Sequence, residues 1–343
     1  MQNYLKKYIL YCILFAGWLA AGCNAGPKVP DVSHIPIQVK IERFDEQLFR
    51  IDTNNVIQGI QLLNDSFPAF TPTYFSQILG LGPFSDTSAA MAEAVRRFVG
   101  NKDFRALQDS VEAHFANTAP LEKELTQAFR LAKYYLPQFE APKVVSFISA
   151  IGNYGAVTVD SLVGIGLDMH MGADFSIYRM VPDYPDYIVR KFTPEYIPVN
   201  VMKVLEQHYA PEEKESAKLM ERFVSLGKQQ YFLQMTLPET PEHIRLGYTK
   251  AQLDFCDENE QMIWQYFVQN KLLYTADWQE VMRYTGEGPS TQGLPGEAPG
   301  QIGAYVGYRI VQTFMKKHPD YTLEKLMNMH DATAIFNGAK YRP

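Results

Sequence analysis

The chain contains 343 residues, of which 46% are hydrophobic and 20% are charged, and its formal net charge is −6. This is the composition of a globular protein, and its mild acidity argues against a nucleic-acid-binding protein, whose binding surface is basic. With 21 Tyr and 21 Phe residues, the chain is expected to have either a large aromatic core or an aromatic-lined groove.

The N-terminus has the features of a bacterial lipoprotein signal. Lys6 and Lys7 precede an apolar segment at positions 8–18, and Leu-Ala-Ala-Gly-Cys follows at positions 19–23. The apolar segment is shorter than the roughly 20 residues that a membrane-spanning helix needs, and small residues before the cysteine are typical of a cleavage site. We therefore predict a signal peptide at residues 1–22 and a lipid anchor on Cys23.

A short polar segment follows the signal. Residues 23–34 include a glycine and two prolines, a composition typical of a tether. No linker interrupts the remainder, so residues 35–343 are predicted to form a single domain. Because Cys12 lies in the signal peptide and Cys23 takes the lipid, only Cys256 is left and an intrachain disulfide is excluded. The acidic residues beside Cys256 favour an unreactive thiol.

The first part of this domain is predicted to contain one strand and then several helices. Apolar and polar side chains alternate from residue 35 onward, which predicts a half-buried strand at residues 37–44. Apolar residues at helical spacing, bounded by capping residues, glycine and proline, predict helices at residues 88–99, 103–116 and 120–136.

Further strands are predicted in the middle of the chain. β-branched and aromatic residues indicate strands at residues 144–151, 156–159 and 162–167, and the sequence Asn-Tyr-Gly at positions 153–155 predicts a turn between the first two. Together with residues 37–44, these segments would form a meander or a mixed sheet. The predicted fold class is α+β, mostly helical with a small mixed sheet.

A group of polar residues follows the last of these strands. Asp168, His170 and Asp174 lie within Gly-Leu-Asp-Met-His-Met-Gly-Ala-Asp at positions 166–174. Asp168 and His170 would share one face of an extended segment, which makes this the most metal-like arrangement in the chain. The alternative interpretation is a polar loop at the edge of the sheet.

Residues 195–237 are predicted to form two consecutive apolar helices. Val201, Val204, Leu205 and His208 fall on one face of the first helix, and Pro211 is predicted to begin the second. The second helix has a broad apolar stripe made of Leu219, Met220, Phe223, Val224, Leu226, Gly227, Tyr231, Leu233 and Met235. Helices as apolar as these lie deep inside a domain.

This helix pair resembles the active-site region of the gluzincin family of zinc peptidases. In that family the first helix carries His-Glu-x-x-His, and the second carries a Glu-Gly pair, whose Glu is the third zinc ligand, followed by Tyr-Phe. Gly227, Tyr231 and Phe232 match the second pattern, whereas Leu226 occupies the position of the Glu, and His208 is the only match in the first. The resemblance implies a zincin-like (gluzincin-like) architecture that lacks the metal ligands.

After the helix pair, the chain is predicted to form a long helix at residues 250–270 and then a loop. Residues 286–300 form a loop rich in glycine and proline, which is either a functional lid or an ordered surface loop; the loop carries no phosphate-binding motif.

A further helix is predicted at residues 301–317. Gly303 and Gly307 are four residues apart, so one face lacks side chains and another helix can approach it, and we expect this to be the helix at residues 212–237. Tyr305 and Arg309 share a neighbouring face and are expected to pair.

Several segments, taken in order, resemble the GldB family of gliding motility lipoproteins, which occurs in Bacteroidetes. They are the lipoprotein signal and the segments IPIQVKIERFDEQLF, GIGLDMHMGAD, FVSLGKQQYFLQMTLP and PGQIGAYVGYRIVQTF. The resemblance covers nearly the whole mature chain. It implies a lipid-anchored, periplasm-facing protein of the cell envelope that is needed by the gliding and type IX secretion apparatus.

Two hypotheses about function follow. In the first, the protein is a non-catalytic lipoprotein without a cofactor that binds other envelope proteins. Its candidate groove would consist of His208, Leu226, Gly227, Tyr231, Tyr305 and Arg309. In the second, the protein is a metal-dependent hydrolase that uses Asp168, His170 and His208. Convergence of these three side chains on one position would favour the hydrolase.

Overall fold

The structure is a computed structural model that describes residues 29–210 and 216–343. Residues Val32–Pro343 form one compact unit. The predicted signal peptide, the anchor Cys23 and the predicted helix start at Pro211 lie outside the described residues.

A four-stranded mixed sheet lies in the first half of the chain. Its strands are β1 (Ile41–Arg43), β2 (Lys143–Phe147), β3 (Ala156–Val159) and β4 (Leu162–Gly166). Their order in the sheet is β1-β2-β4-β3. Strand β2 pairs in parallel with β1 and with β4, whereas β3 pairs with β4 in antiparallel fashion. The prediction of a small mixed sheet is therefore confirmed.

Two predicted features of the sheet are wrong. The turn at residues 153–155 does not join β2 to a neighbouring strand, because β4 lies between β2 and β3 in the sheet. The strand predicted at residues 37–44 is reduced to Ile41–Arg43. Its first part pairs with a helix instead, since Val39 N–H donates to Thr126 Oγ1 (2.9 Å) and Arg130 Nε donates to the Ile37 carbonyl oxygen (2.9 Å).

Helices make up most of the remainder. Their bounds are α1 (Phe44–Phe49), α2 (Val56–Ser66), α3 (Phe70–Thr73), α4 (Ala89–Gly100), α5 (Lys102–His114), α6 (Ala119–Tyr135), α7 (Asp186–Val189), α8 (Ile197–Glu206), α9 (Leu219–Thr236), α10 (Glu242–Leu246), α11 (Lys250–Glu258), α12 (Glu260–Gln269), α13 (Trp278–Thr285), α14 (Ile302–Lys317), α15 (Leu323–Met327) and α16 (Ala332–Ala339). Short 3₁₀ turns lie at Leu167–Met169, Ser176–Met180, Pro194–Tyr196 and Leu272–Tyr274, and a π-turn lies at Tyr74–Ile78.

The three helices predicted between residues 88 and 136 are confirmed as α4, α5 and α6, within one or two residues. Ser88 caps α4 by accepting a hydrogen bond from Met91 N–H (3.4 Å). The helix predicted at residues 250–270 is interrupted at Asn259, which separates α11 from α12. The Asn259 amide donates to the Phe255 carbonyl oxygen (2.9 Å) and so ends α11.

Helices α9 and α14 cross at their glycines. A Cβ added to Gly307 would lie far inside van der Waals contact of the Phe223 carbonyl oxygen, and a Cβ added to Gly227 would meet the Gly307 carbonyl oxygen in the same way. A Cβ on Gly303 would lie 2.6 Å from the Phe223 ring. The predicted close approach of the glycine face to the preceding long helix is thus confirmed, and only glycine permits it.

Aromatic side chains fill the core between the sheet and the N-terminal helices. Phe44 contacts Phe70 and Tyr74 edge to face, with ring centroids 4.9 and 4.7 Å apart, and Phe147 of β2 joins the same group. This favours the aromatic core over the aromatic-lined groove for these residues. Within residues 29–210 and 216–343, no helix is long and apolar enough to cross a membrane.

Candidate functional site

The six residues predicted to line a groove do not form one open surface. Gly227 and Tyr305 are buried, while Leu226 and Tyr231 are half-buried and pack against the core. His208 is exposed, just beyond the end of α8. The region around Gly227 is closed because α14 packs directly on it.

Tyr305 and Arg309 form the pair that their spacing predicts. The Arg309 guanidinium carbon lies 4.7 Å from the centroid of the Tyr305 ring, and Arg309 Nη2 lies 2.7 Å from both Glu242 Oε1 and Asp257 Oδ1. The Tyr305 hydroxyl donates to Asp257 Oδ1 (2.9 Å). These contacts join α14 to α10 and α11, so the cluster has a structural role, and its two carboxylates were not anticipated from the sequence.

Cys256 lies beside this cluster. Its side chain is buried, and burial, with a smaller contribution from Asp257, raises the pKa of the thiol to about 12. A thiol that stays protonated is a poor nucleophile, in agreement with the unreactive cysteine predicted from its acidic neighbours.

Asp168 organises the loop that follows β2. Its buried carboxylate accepts hydrogen bonds from Ser149 N–H (2.9 Å), the Ser149 hydroxyl (3.0 Å) and Ile151 N–H (2.7 Å). Ala150 and Ile151 have positive φ angles of 54° and 61°, which are unfavourable for residues with a Cβ and most of all for a β-branched one. The carboxylate therefore holds a strained turn, although burial raises its own pKa to about 6.

His170 is held on both sides of its ring. Nδ1 lies 2.9 Å from the Gly166 carbonyl oxygen, and Nε2 lies 3.1 Å from the Asn200 amide nitrogen. A carbonyl oxygen only accepts, so Nδ1 carries the proton and the neutral ring accepts from Asn200 through Nε2. Burial lowers the pKa of His170 to about 4, which keeps this tautomer neutral.

Asp168, His170 and His208 are not brought together. The Asp168 carboxylate faces residues 149–151. His208 lies eight residues after Asn200, the partner of His170, which corresponds to about 12 Å along a helix. Within the described ranges, no group of three or more His, Cys, Asp or Glu side chains is arranged to hold a metal ion. Asp174 is exposed and pairs with Arg179 (3.2 Å), as expected for a polar loop.

His170 instead lines a cavity. This cavity has a volume of about 430 Å³ and lies beyond the carboxyl ends of β2 and β4, where Asn153, Gly155 and His170 contribute to its wall. Ligands of open sheets with parallel strands bind at this edge, and the volume is that of a small-molecule site. Other lining residues are Arg190, Lys191, Tyr196, Lys203, Tyr248 and Glu287.

The long loop predicted at residues 286–300 forms part of the cavity wall. Glu287, Gly288 and Gly300 line the cavity, while Thr291 and Ala298 are buried and bonded to each other through the backbone (3.2 Å). The loop is therefore held to the domain at these positions, while most of its other residues are exposed. The sequence offered only weak signals for this cavity, because its basic residues come from separate segments.

The charges that line the cavity are unbalanced. Lys191 Nζ forms an ion pair with Glu287 Oε1 (2.5 Å), and the Arg190 guanidinium donates to the carbonyl oxygens of Tyr187 and Gly247. Lys203 forms no hydrogen bond or ion pair with any residue that the structure describes. Burial, reinforced by the nearby Lys191, lowers the pKa of Lys203 to about 8. One carboxylate thus faces three basic side chains.

Because His170 is neutral in the folded protein, the free energy of unfolding depends on pH in the acid range. Since its pKa is lowered from 6.5 to about 4, the folded protein binds fewer protons than the unfolded chain in this range, and the free energy of unfolding falls as the pH drops. The shift corresponds to a loss of about 3 kcal/mol in the free energy of unfolding between pH 7 and pH 4. We expect His170→Gln to abolish this loss, as measured by urea unfolding at both pH values.

The matched control is His208→Gln, which replaces an exposed histidine. The raised pKa of Asp168 acts in the opposite direction, since it adds stability as the pH falls, but Asp168 is present in every variant and cancels in the comparison. Equal acid sensitivity of His170→Gln and the unmodified protein would contradict a buried neutral ring.

Comparison with known proteins identifies the family. A model of the family described as gliding motility protein GldB matches residues 25–343, which is nearly the whole chain. No curated protein and no solved structure matches the chain. The family match agrees with the resemblance carried by the four sequence segments, all of which lie within the matched residues, and the chain belongs to the gliding motility protein GldB family.

Proposed function

We propose that this protein is a lipid-anchored, periplasm-facing component of the gliding motility and type IX secretion apparatus that acts by binding other envelope proteins, without catalysis. The observation that carries the proposal is the family match over residues 25–343, which begins two positions after the predicted anchor Cys23. Membership of this family implies a lipoprotein associated with motility.

The chemistry of the most metal-like segment supports a non-catalytic role. The Asp168 carboxylate already accepts three hydrogen bonds from the protein, and both ring nitrogens of His170 are engaged. A general base needs a free lone pair directed at its substrate. Leu226, at the position of a zinc ligand in gluzincins, is half-buried against the core. A zincin-like ancestry of the architecture remains part of the proposal.

Exposed large apolar side chains on α13 and just before it support binding to a protein. Tyr274, Trp278 and Met282 are 62%, 61% and 41% exposed, and Trp278 and Met282 lie one turn apart on the same face of α13. Tyr274 precedes the helix by four positions, on a 3₁₀ turn. Tyr, Trp and Met are enriched at the centres of protein interfaces. We assign residues 274, 278 and 282 as the docking surface for a protein partner in the envelope.

Site-specific photocrosslinking in the native host tests this proposal. A benzophenone amino acid at position 278 is expected to give a discrete protein adduct after irradiation, because a bound partner would cover this side chain. The same amino acid at position 134 is the control, since Tyr134 is also an exposed aromatic residue on a helix (49% exposed) but lies on α6.

The anchor is tested in the same cells. Cys23→Ser is expected to give an unprocessed or soluble protein without the lipid and to lose the adduct, whereas Cys256→Ser, which changes a buried cysteine, should keep both the lipid and the adduct. An adduct to lipid alone at position 278, or equal protein adducts at positions 278 and 134, would contradict docking through this surface. Full motility or secretion with Cys23→Ser would contradict the anchored role.

A further inference from the structure

The cavity beside His170 has an excess of positive charge that the protein itself does not neutralise. Lys191 is paired with Glu287. Arg190 donates to two backbone carbonyl oxygens, which orient its guanidinium without cancelling its charge. Lys203 forms no hydrogen bond or ion pair with residues 29–210 or 216–343, and Glu287 acts on it only beyond ion-pair distance. The three basic side chains that line this cavity therefore share one carboxylate.

This excess of positive charge disfavours the ammonium form of Lys203. Its side chain is half-buried, and burial and the like charge of Lys191 lower its pKa, while Glu287 opposes the shift. An anion bound in this cavity, which both Lys203 and Arg190 line, would supply the missing negative charge.

The surroundings of these cations suit a small ligand with a phosphoryl group. The cavity opens beyond the carboxyl ends of β2 and β4 and has a volume of about 430 Å³, which is larger than a phosphoryl group alone requires. Tyr196 and Tyr248 add apolar ring surface to the wall, while the amides of Asn153 and Asn200 add polar groups. Guanidinium and ammonium groups together are the usual ligands of phosphate oxygens.

We propose that this cavity binds the phosphoryl group of a small organic phosphate, either a free metabolite or the headgroup of a phospholipid, through Lys203 and Arg190. Lys191 and Glu287 lie at the same wall and form its edge. This site is separate from the docking surface on α13, so the inference does not depend on the proposed protein partner.

The test measures binding of defined probes to the full-length lipoprotein in detergent by isothermal titration calorimetry. The probes are inorganic phosphate, glycerol 3-phosphate and a short-chain phosphatidic acid that stays monomeric. Lys203→Met keeps an unbranched apolar side chain one atom shorter and removes the charge, and we expect it to weaken glycerol 3-phosphate binding at least about tenfold, because a charge-assisted hydrogen bond is lost.

Three controls accompany this variant. Lys203→Arg keeps the charge and is expected to bind within a fewfold of the unmodified protein. Lys250→Met removes an exposed lysine on α11 and should leave binding unchanged. The melting temperature of Lys203→Met should equal or exceed that of the unmodified protein, because a half-buried cation that is repelled by Lys191 is removed; a merely structural lysine would lower it.

The probes distinguish the two sources of the ligand. Tighter binding of the short-chain phosphatidic acid than of glycerol 3-phosphate supports a lipid headgroup, and the reverse order supports a free metabolite. The proposal is overturned if none of the three probes binds the unmodified protein, or if Lys203→Met is folded and binds them with unchanged affinity.

Discussion

Gly307→Ala is expected to lower the free energy of unfolding by about 3 kcal/mol, at the upper end of the usual cost of overpacking. The methyl group would lie inside van der Waals contact of the Phe223 carbonyl oxygen on α9. This atom belongs to a helical backbone and cannot rotate away, so the two helices must separate along their contact. Urea unfolding of the purified protein measures the effect.

Two other glycines provide graded controls. Gly303→Ala would place its methyl group 2.6 Å from the Phe223 ring, which can shift, so a smaller loss of stability is expected. Gly296→Ala has no atom within 4 Å of the added methyl and should be nearly neutral. If Gly307→Ala is as stable as Gly296→Ala, helices α9 and α14 do not cross at these glycines.

Asp168→Asn is expected to cost about 2–3 kcal/mol of stability, although it preserves size and shape. The carboxylate accepts from the backbone N–H groups of Ser149 and Ile151 at 2.9 and 2.7 Å. An asparagine presents one oxygen and one NH₂ group, so one of these buried donors would face another donor and lose its partner. The positive φ angles at Ala150 and Ile151 would then lack support.

Limited proteolysis across residues 148–155 and thermal melting measure this effect together. Asp174→Asn is the matched control, because Asp174 lies in the same segment and is fully exposed. Similar melting temperatures and similar cleavage of the two variants would show that Asp168 does not hold the turn.

The features that could be predicted from the sequence depend on periodicity or on residues close together in the chain. The four-residue spacing of Gly303 and Gly307 predicted a helix contact that the structure contains, and Ser88 correctly marked the start of α4. Pairing over long distances was harder to predict. In the order β1-β2-β4-β3, no short-range sequence pattern indicates that β2 pairs with β1 and β4, because parallel neighbours are not joined by a short turn.

The candidate sites show the same limit. The sequence singles out Asp168 and His170 as metal-like residues, but three of their hydrogen-bond partners, Ser149, Ile151 and Asn200, lie 17 to 30 positions away. The cavity collects its charges from Arg190, Lys203 and Glu287, which no periodic pattern connects. Burial, which sets the pKa of Lys203 and of His170, is a property of the assembled fold.

The position of β1 in the sheet has a consequence for how the protein folds. Ile41 pairs with Val144, so β1 and its neighbour in the sheet are separated by about 100 residues of chain. Closing a loop of this length has an entropic cost that the strand pairing must overcome. Helices α4, α5 and α6 lie within that interval and can form first from local contacts. A chain that emerges gradually during its synthesis would expose the edge of β1 until β2 arrives, and its final folding step would be slow closure of the sheet over preformed helices.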